Sequence, residues 1–244
     1  MESSTTAPEA PMGVVSRIIN LFVSPSKTFE ALIVKPDWFT PVAVAMVIFL
    51  TVGILMKDVI QTEQVAATRE SIMKNDKIDN SQKEQVIEQS TTMMKKFWFL
   101  GLPIGMVVVV IAYFLAALFL RIGGNMVLGK GPAYMQVLSV FSYSTLAYSA
   151  GALVRVPLMY LNQTMRVDTG LGMLLGQSET HSTLYIFLSK FDLFTFWQLA
   201  VLVIGLALLY KAPKGKTAGV VIGLWLIWIL AVAGLSSVGI KIGG

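Results

Sequence analysis

The residues most able to do chemistry lie in one apolar stretch. Between residues 134 and 161, Gln136, Ser139, Ser142, Thr145, Ser149 and Ala152 recur at the three-to-four residue spacing of one helix face. Such a face should not meet lipid. Its side chains can hydrogen-bond neighbouring helices, at about 0.6 kcal/mol per contact in a membrane, or they can line a polar path for a solute. Two charges belong with this group: Arg155 inside the same stretch and Asp192 at the start of the next one. The arginine could snorkel to an interface unaided, and the carboxylate could cap a helix through the amides of Phe194 or Thr195. Alternatively the two form an ion pair, with Pro157 freeing the carbonyl of Leu153 as a further acceptor.

Catalytic constellations are absent from the sequence. There is no HExxH for a zinc peptidase, no GxSxG elbow, no cysteine, and only one histidine, His181, in a polar loop where solvation is its simplest role. Gly215-Lys216-Thr217 resembles the end of a phosphate-binding loop. The earlier glycine would fall at Tyr210, however, and an apolar helix rather than a strand precedes it, so no nucleotide site is expected. Asn162-Gln163-Thr164 has the form of a glycosylation sequon and is read as chance. No cofactor, metal or nucleic acid is implied, and the chain is not read as an enzyme.

The elements that must position these residues follow from composition. Apolar residues make up 55% of 244 and charged residues 14%, with a mean hydropathy of +0.70, which excludes an ordinary soluble domain. Crossing about 30 Å of hydrocarbon takes roughly 20 helical residues, and five stretches approach that length: 41–56, 97–120, 134–161, 191–210 and 218–240. Lysines and arginines divide almost evenly between the two sides, so charge counting does not orient the chain. The acid-free loops carrying Arg121 and Lys130, then Lys211, Lys214 and Lys216, favour an inside N-terminus.

Residues 1–12 read as a disordered tail and 13–36 as an amphipathic segment lying on the membrane, with Ser24 and Pro25 opening its second helix. Thr40-Pro41 is a plausible cap for the first span. Residues 57–96 are hydrophilic with balanced charge; a turn at 75–80 and a capping box at Ser81 and Glu84 predict a helical hairpin outside the bilayer. Gly101 with Gly105, and Gly219 with Gly223, match GxxxG and are expected to pack helices, within the chain or between copies.

With these elements placed, the local wording becomes informative: Phe22-Val-Ser-Pro-Ser-Lys-Thr-Phe29, Lys35-Pro-Asp-Trp38 with Pro41, and Phe191-Asp-Leu-Phe-Thr-Phe-Trp197 followed by Gly205 and the lysines 211–216. Over nearly its whole length the chain resembles the bacterial branch of the Yip1 family of five-span membrane proteins. The resemblance implies an all-α integral membrane protein, with the N-terminus cytoplasmic and the C-terminus outside a bacterial inner membrane. Residues 37–244 would be the five-span domain, containing the hairpin. Eukaryotic relatives bind Rab-type GTPases and sister proteins through a longer hydrophilic N-terminal region; here only about 12 residues precede Gly13. Expected partners are lipids and other membrane proteins or a second copy. The expected role is a membrane-organising or accessory subunit, with a small transporter, channel or lipid-moving protein using the polar face of the third span as the rival.

Overall fold

The computed structural model describes residues 12–165, 167–175 and 182–237. Among them the chain forms ten α-helices and one 3-10 turn: α1 (Val14–Val23), α2 (Pro25–Val34), α3 (Phe39–Leu55), α4 (Lys57–Met73), α5 (Asn80–Leu128), α6 (Tyr134–Ser149), α7 (Ala152–Asn162), the 3-10 turn Leu171–Leu175, α8 (Thr183–Leu188), α9 (Leu193–Tyr210) and α10 (Lys214–Ser237). Three helices, α5, α9 and α10, are long and apolar enough to cross a membrane. The pairs α3 with α4, bent by 72°, and α6 with α7, bent by 44°, raise the number to as many as five if each pair counts as one span.

Helix α6 is the centre of the bundle. It packs against α9, α5, α3 and the two N-terminal helices. Val137, Leu138, Val140 and Tyr143 are wholly buried, as are Ser139, Ser142 and Ser144, so all sides of the helix are covered. A helix apolar or satisfied all round belongs in an interior rather than on a lipid boundary. The closest approach is to α9, and a glycine permits it. A Cβ at Gly205 would overlap the methyl of Val140 and lie 3.1 Å from the ring of Phe29.

The N-terminal segment, expected to lie on the membrane, also packs against the bundle. It folds as two helices joined at Ser24, and Leu21, Phe29 and Leu32, each at most 1% exposed, enter the core beside α6 and α9. Part of the apolar surface of this segment is thus buried by protein. The remaining face, with Val15, Ile19 and Val23 at 57–78% exposed, stays uncovered by protein.

Local signals also moved. Ser24 makes no side-chain cap bond. The start of α3 is held by Asp37 rather than Thr40-Pro41, its Oδ1 accepting from the Thr40 amide at 3.1 Å. In the hairpin, Asp79 and not Ser81 caps α5, accepting from the Ser81 amide at 2.8 Å, while Glu84 pairs with Arg69. Those Ser81 hydrogen bonds hold the Asp79 carboxyl below its ordinary range. The third stretch is not one straight helix: it breaks at Ala150–Gly151, upstream of Pro157.

Of the GxxxG glycines, only Gly105 packs inside the chain, its would-be Cβ 2.8 Å from the ring of Phe49 on α3. Gly101, Gly219 and Gly223 have nothing within 4 Å. Gly53 answers Gly105 from the other helix, admitting Leu102 of α5, so α3 and α5 interlock through two glycines and two large side chains. The contrast sets opposite expectations for one substitution. Gly205→Ala overpacks the α6–α9 seam and should lower stability by about 1–3 kcal/mol, whereas Gly219→Ala, in open space, should be neutral or stabilising by up to about 1 kcal/mol. Unfolding curves of the two variants in one detergent check both signs.

Candidate functional site

The polar face of α6 uses its hydroxyls on its own backbone. Ser139 Oγ donates to the Met135 carbonyl at 2.7 Å, Thr145 Oγ1 to Phe141 at 2.9 Å, and Ser149 Oγ to Thr145 at 3.0 Å. Ser144, off the predicted face, does the same to Phe141 at 2.7 Å. Such back-bonding satisfies a hydroxyl in a dry interior and lets neighbouring helices close over it. Gln136 reaches further: its Nε2 donates to the Ile33 carbonyl at 2.9 Å, and its Oε1 accepts from the Ala133 amide at 3.0 Å. One side chain thus caps α6 and holds the end of α2. Ser142 Oγ alone in this set is buried without a partner among the described residues. Toward α9 the face offers one long contact, Gln198 Nε2 to Thr145 Oγ1 at 3.4 Å.

Arg155 and Asp192 do not pair. Both Asp192 oxygens are engaged in capping α9: Oδ1 accepts from the amides of Phe194 and Thr195 at 2.8 and 3.0 Å, and Oδ2 from Thr195 Oγ1 at 2.7 Å. The side chain is buried, which a carboxylate tolerates at a helix N-terminus, where unsatisfied amides and the helix dipole meet it. Arg155 turns instead to Tyr148, donating to its hydroxyl at 2.8 Å and to its carbonyl at 3.3 Å. The Asp192 cap was one of two open readings of the sequence. Where the ion pair was expected, Asp192 caps its own helix and Arg155 bonds Tyr148.

A third polar constellation went unread in the sequence. Arg17 of α1 and Asp37 before α3 form an ion pair at 2.8 Å with side chains only 14% and 17% exposed, and Tyr143 of α6 donates to the same Asp37 oxygen at 3.2 Å. Thr28, fully buried on α2, donates to the Arg17 carbonyl at 2.9 Å. Asp37 therefore joins α1, α3 and α6 through one carboxylate. The available signal was Arg17 itself, a charge in the middle of an apolar segment, with Glu30 and Asp37 as the next acids along the chain.

The hairpin has its own fastenings. Lys83, nearly buried, donates to the carbonyl of Met73 at 3.0 Å and so closes the C-terminal end of α4. Glu63 accepts from Thr164 Oγ1 at 2.6 Å and the Met165 amide at 2.9 Å, tying α4 to the turn after α7. Within the sequon-like triplet, Gln163 takes a left-handed conformation that ends α7, and Thr164 makes this tie. At the membrane end, Lys57 stacks 4.7 Å from the Trp98 ring and α5 breaks its helical geometry at Phe97. A shallow groove of about 490 Å³ between the two arms includes Val65, Arg69, Ile87 and Glu88. In the GKT triplet, Thr217 is buried and bonds the Pro213 carbonyl at 3.1 Å, as a first-turn helix residue. His181 and the tail 1–11 lie outside the described residues. Among the described residues no three His, Cys, Asp or Glu side chains converge as a metal site would require.

The Arg17–Asp37 pair should behave as a buried one. Arg17→Ala or Asp37→Ala should each cost about 3–5 kcal/mol by stranding a charge, and the double variant should be no worse than either single. Chemical unfolding of the three variants in detergent decides; additive losses would mean the charges act independently.

No curated protein and no solved structure matches the chain significantly. The Yip1 domain matches residues 19–235, from within α1 into α10, and takes in all of α2 to α9. An all-helical bundle with apolar helices of membrane-crossing length, built around the sequence features that first suggested the resemblance, agrees with that match, and the chain belongs to the Yip1 domain family.

Proposed function

We propose that this Yip1 protein is a non-enzymatic membrane-organising or accessory subunit that binds other membrane proteins. The observation that carries this reading is where the polar groups of the bundle go. On α6 nearly every Ser and Thr hydroxyl is closed onto backbone, Asp37 and Glu63 tie separate elements together, and Asp192 caps α9. A bundle that uses its polar side chains on itself is suited to being a scaffold. The hydrophilic hairpin, by contrast, projects a largely exposed two-helix arm whose ion pairs, Arg69–Glu84 and Glu70–Lys74, lie in solvent. Such pairs contribute about 0–1 kcal/mol each and leave the arm's side chains available to a partner.

In this reading the chain is a five-span protein of a bacterial inner membrane, with α3 as a short span and the bent α6–α7 unit as a broken one. The N-terminus is cytoplasmic, the uncovered face of α1 rests at the membrane surface, and the hairpin stands outside. The open glycine edge of α10 at Gly219 and Gly223 would meet a partner helix or lipid. The transport reading retains one supporting observation, the unpartnered Ser142 hydroxyl deep in α6.

Crosslinking in native membranes followed by mass spectrometry tests the proposal. A stoichiometric protein partner joined through residues 57–96 is the expected result. A protein that crosslinks to nothing yet moves solute in liposomes, with flux abolished by Ser142→Val, would replace the accessory reading with the transport one.

A further inference from the structure

Arg155 is a partly exposed charge that forms no ion pair among the described residues. Asp192, the acid expected to pair with it, caps α9 instead. The guanidinium is nevertheless held firmly. Its carbon lies 4.4 Å from the centre of the Tyr148 ring and 5.6 Å from that of Phe194, and two of its N–H groups go to the Tyr148 hydroxyl and carbonyl.

The slot is also built by what is absent. Gly151 is buried at the α6–α7 break, and a Cβ there would run into Arg155 Nη2 and lie 2.8 Å from the Phe194 ring. A glycine, two aromatic rings and a bent helix pair thus combine to hold one planar cation, which is only partly exposed.

Depth identifies what can reach it. Phe194 is in the first turn of α9, so the guanidinium sits at the level where that helix enters the bundle. Leu158, one turn on from Arg155 along α7, and Leu193, next to Phe194 on α9, are 38% and 72% exposed, and α7 buries no residue at all. A cation at a helix end, flanked by side chains that face hydrocarbon, meets the headgroup layer of the nearer leaflet. A guanidinium has five N–H donors, and its planar fork matches two oxygens of a phosphate better than an ammonium does.

We propose that Arg155, braced by Tyr148, Phe194 and Gly151, binds the phosphodiester of a membrane phospholipid, whose acyl chains lie along the exposed leucines of α7 and α9. The recognised group is the phosphate, so anionic and zwitterionic phospholipids both qualify, and a lipid without phosphate does not. Gly151 is a positioning residue: it touches no lipid and acts by leaving room for the guanidinium.

Native mass spectrometry of the full chain, delipidated in detergent and supplied with one lipid at a time, tests this. Phosphatidylglycerol and phosphatidylcholine should be retained and diglucosyl-diacylglycerol of the same chain length should not. Arg155→Gln should lose about tenfold or more of the phospholipid retention, Arg155→Lys less, and Gly151→Ala should weaken retention with the arginine still present. Equal retention of the glycolipid, or a folded Arg155→Gln variant that holds phospholipid as the parent does, would overturn the assignment. Should Arg155→Gln fail to fold, the comparison of headgroups on the parent chain and the Gly151→Ala variant still decide. Inorganic phosphate that binds the delipidated protein as tightly as the phospholipids do would assign the slot to free phosphate and overturn the lipid source.

Discussion

The fold depends on the burial of α6. In a soluble protein a helix carrying three serines and a threonine within seven residues would turn them to water. Here Ser139, Ser142 and Ser144 are completely enclosed. Enclosure works because a hydroxyl can return its hydrogen bond to the carbonyl three or four residues back, leaving a small, nearly apolar outline for neighbouring helices. Small outlines allow short helix separations, and Gly205 on α9 shortens that seam further. The N-terminal helices then complete the enclosure, with Phe29 seated against Gly205, and Gln136 bonds the end of α2 from α6 itself.

Around that centre, three carboxylates gather several donors each, Asp37 and Asp192 at helix starts and Glu63 within α4. Asp37 accepts from a guanidinium, a phenol and a helix-start amide; Asp192 accepts from two amides and a hydroxyl; Glu63 accepts from a hydroxyl and an amide. Asp37 adds two neutral donors to its opposite charge, Arg17, while Asp192 and Glu63 are held by neutral donors. That is how a carboxylate can be kept at the edge of a low-dielectric region without a large desolvation cost. The same accounting explains Arg155. Once Asp192 is committed to α9, the guanidinium is left to aromatic faces and to whatever anion the surroundings bring.

The hairpin is mechanically distinct from the bundle. Its two helices depart from the membrane-facing ones at matching breaks, Met56 between α3 and α4 and Phe97 within α5, with Lys57 stacked on Trp98 at the same level. Within the arm only Val59, Lys83 and Ile87 are buried, a small interior for two helices. The tie from Glu63 to the turn after α7 therefore matters out of proportion to its size, since it fixes the direction of an arm with little core of its own.

Period, length and composition were sufficient for the element types. Apolar stretches of spanning length, the hydrophilic hairpin with its turn, the polar face of the third stretch and the family wording can all be read along the chain, because each depends on residues a few positions apart. Caps were half legible. Asp79 and Asp37 displaced the residues expected from Ser81-x-x-Glu84 and Thr40-Pro41, since neighbouring polar residues compete for the same amides and local geometry chooses between them. What required the tertiary structure was the choice of partner for each group. Arg17 and Asp37 are 20 residues apart, Gln136 and Ile33 are 103 apart, and Arg155 reached Tyr148 rather than Asp192. GxxxG spacing likewise did not tell Gly105, which packs, from Gly219, which does not. The amino-acid sequence by itself determines which residues are apolar, small or charged and at what period they recur. Which of them meet depends on helix separations of a few ångströms across the bundle, and those distances exist only once all the helices have packed.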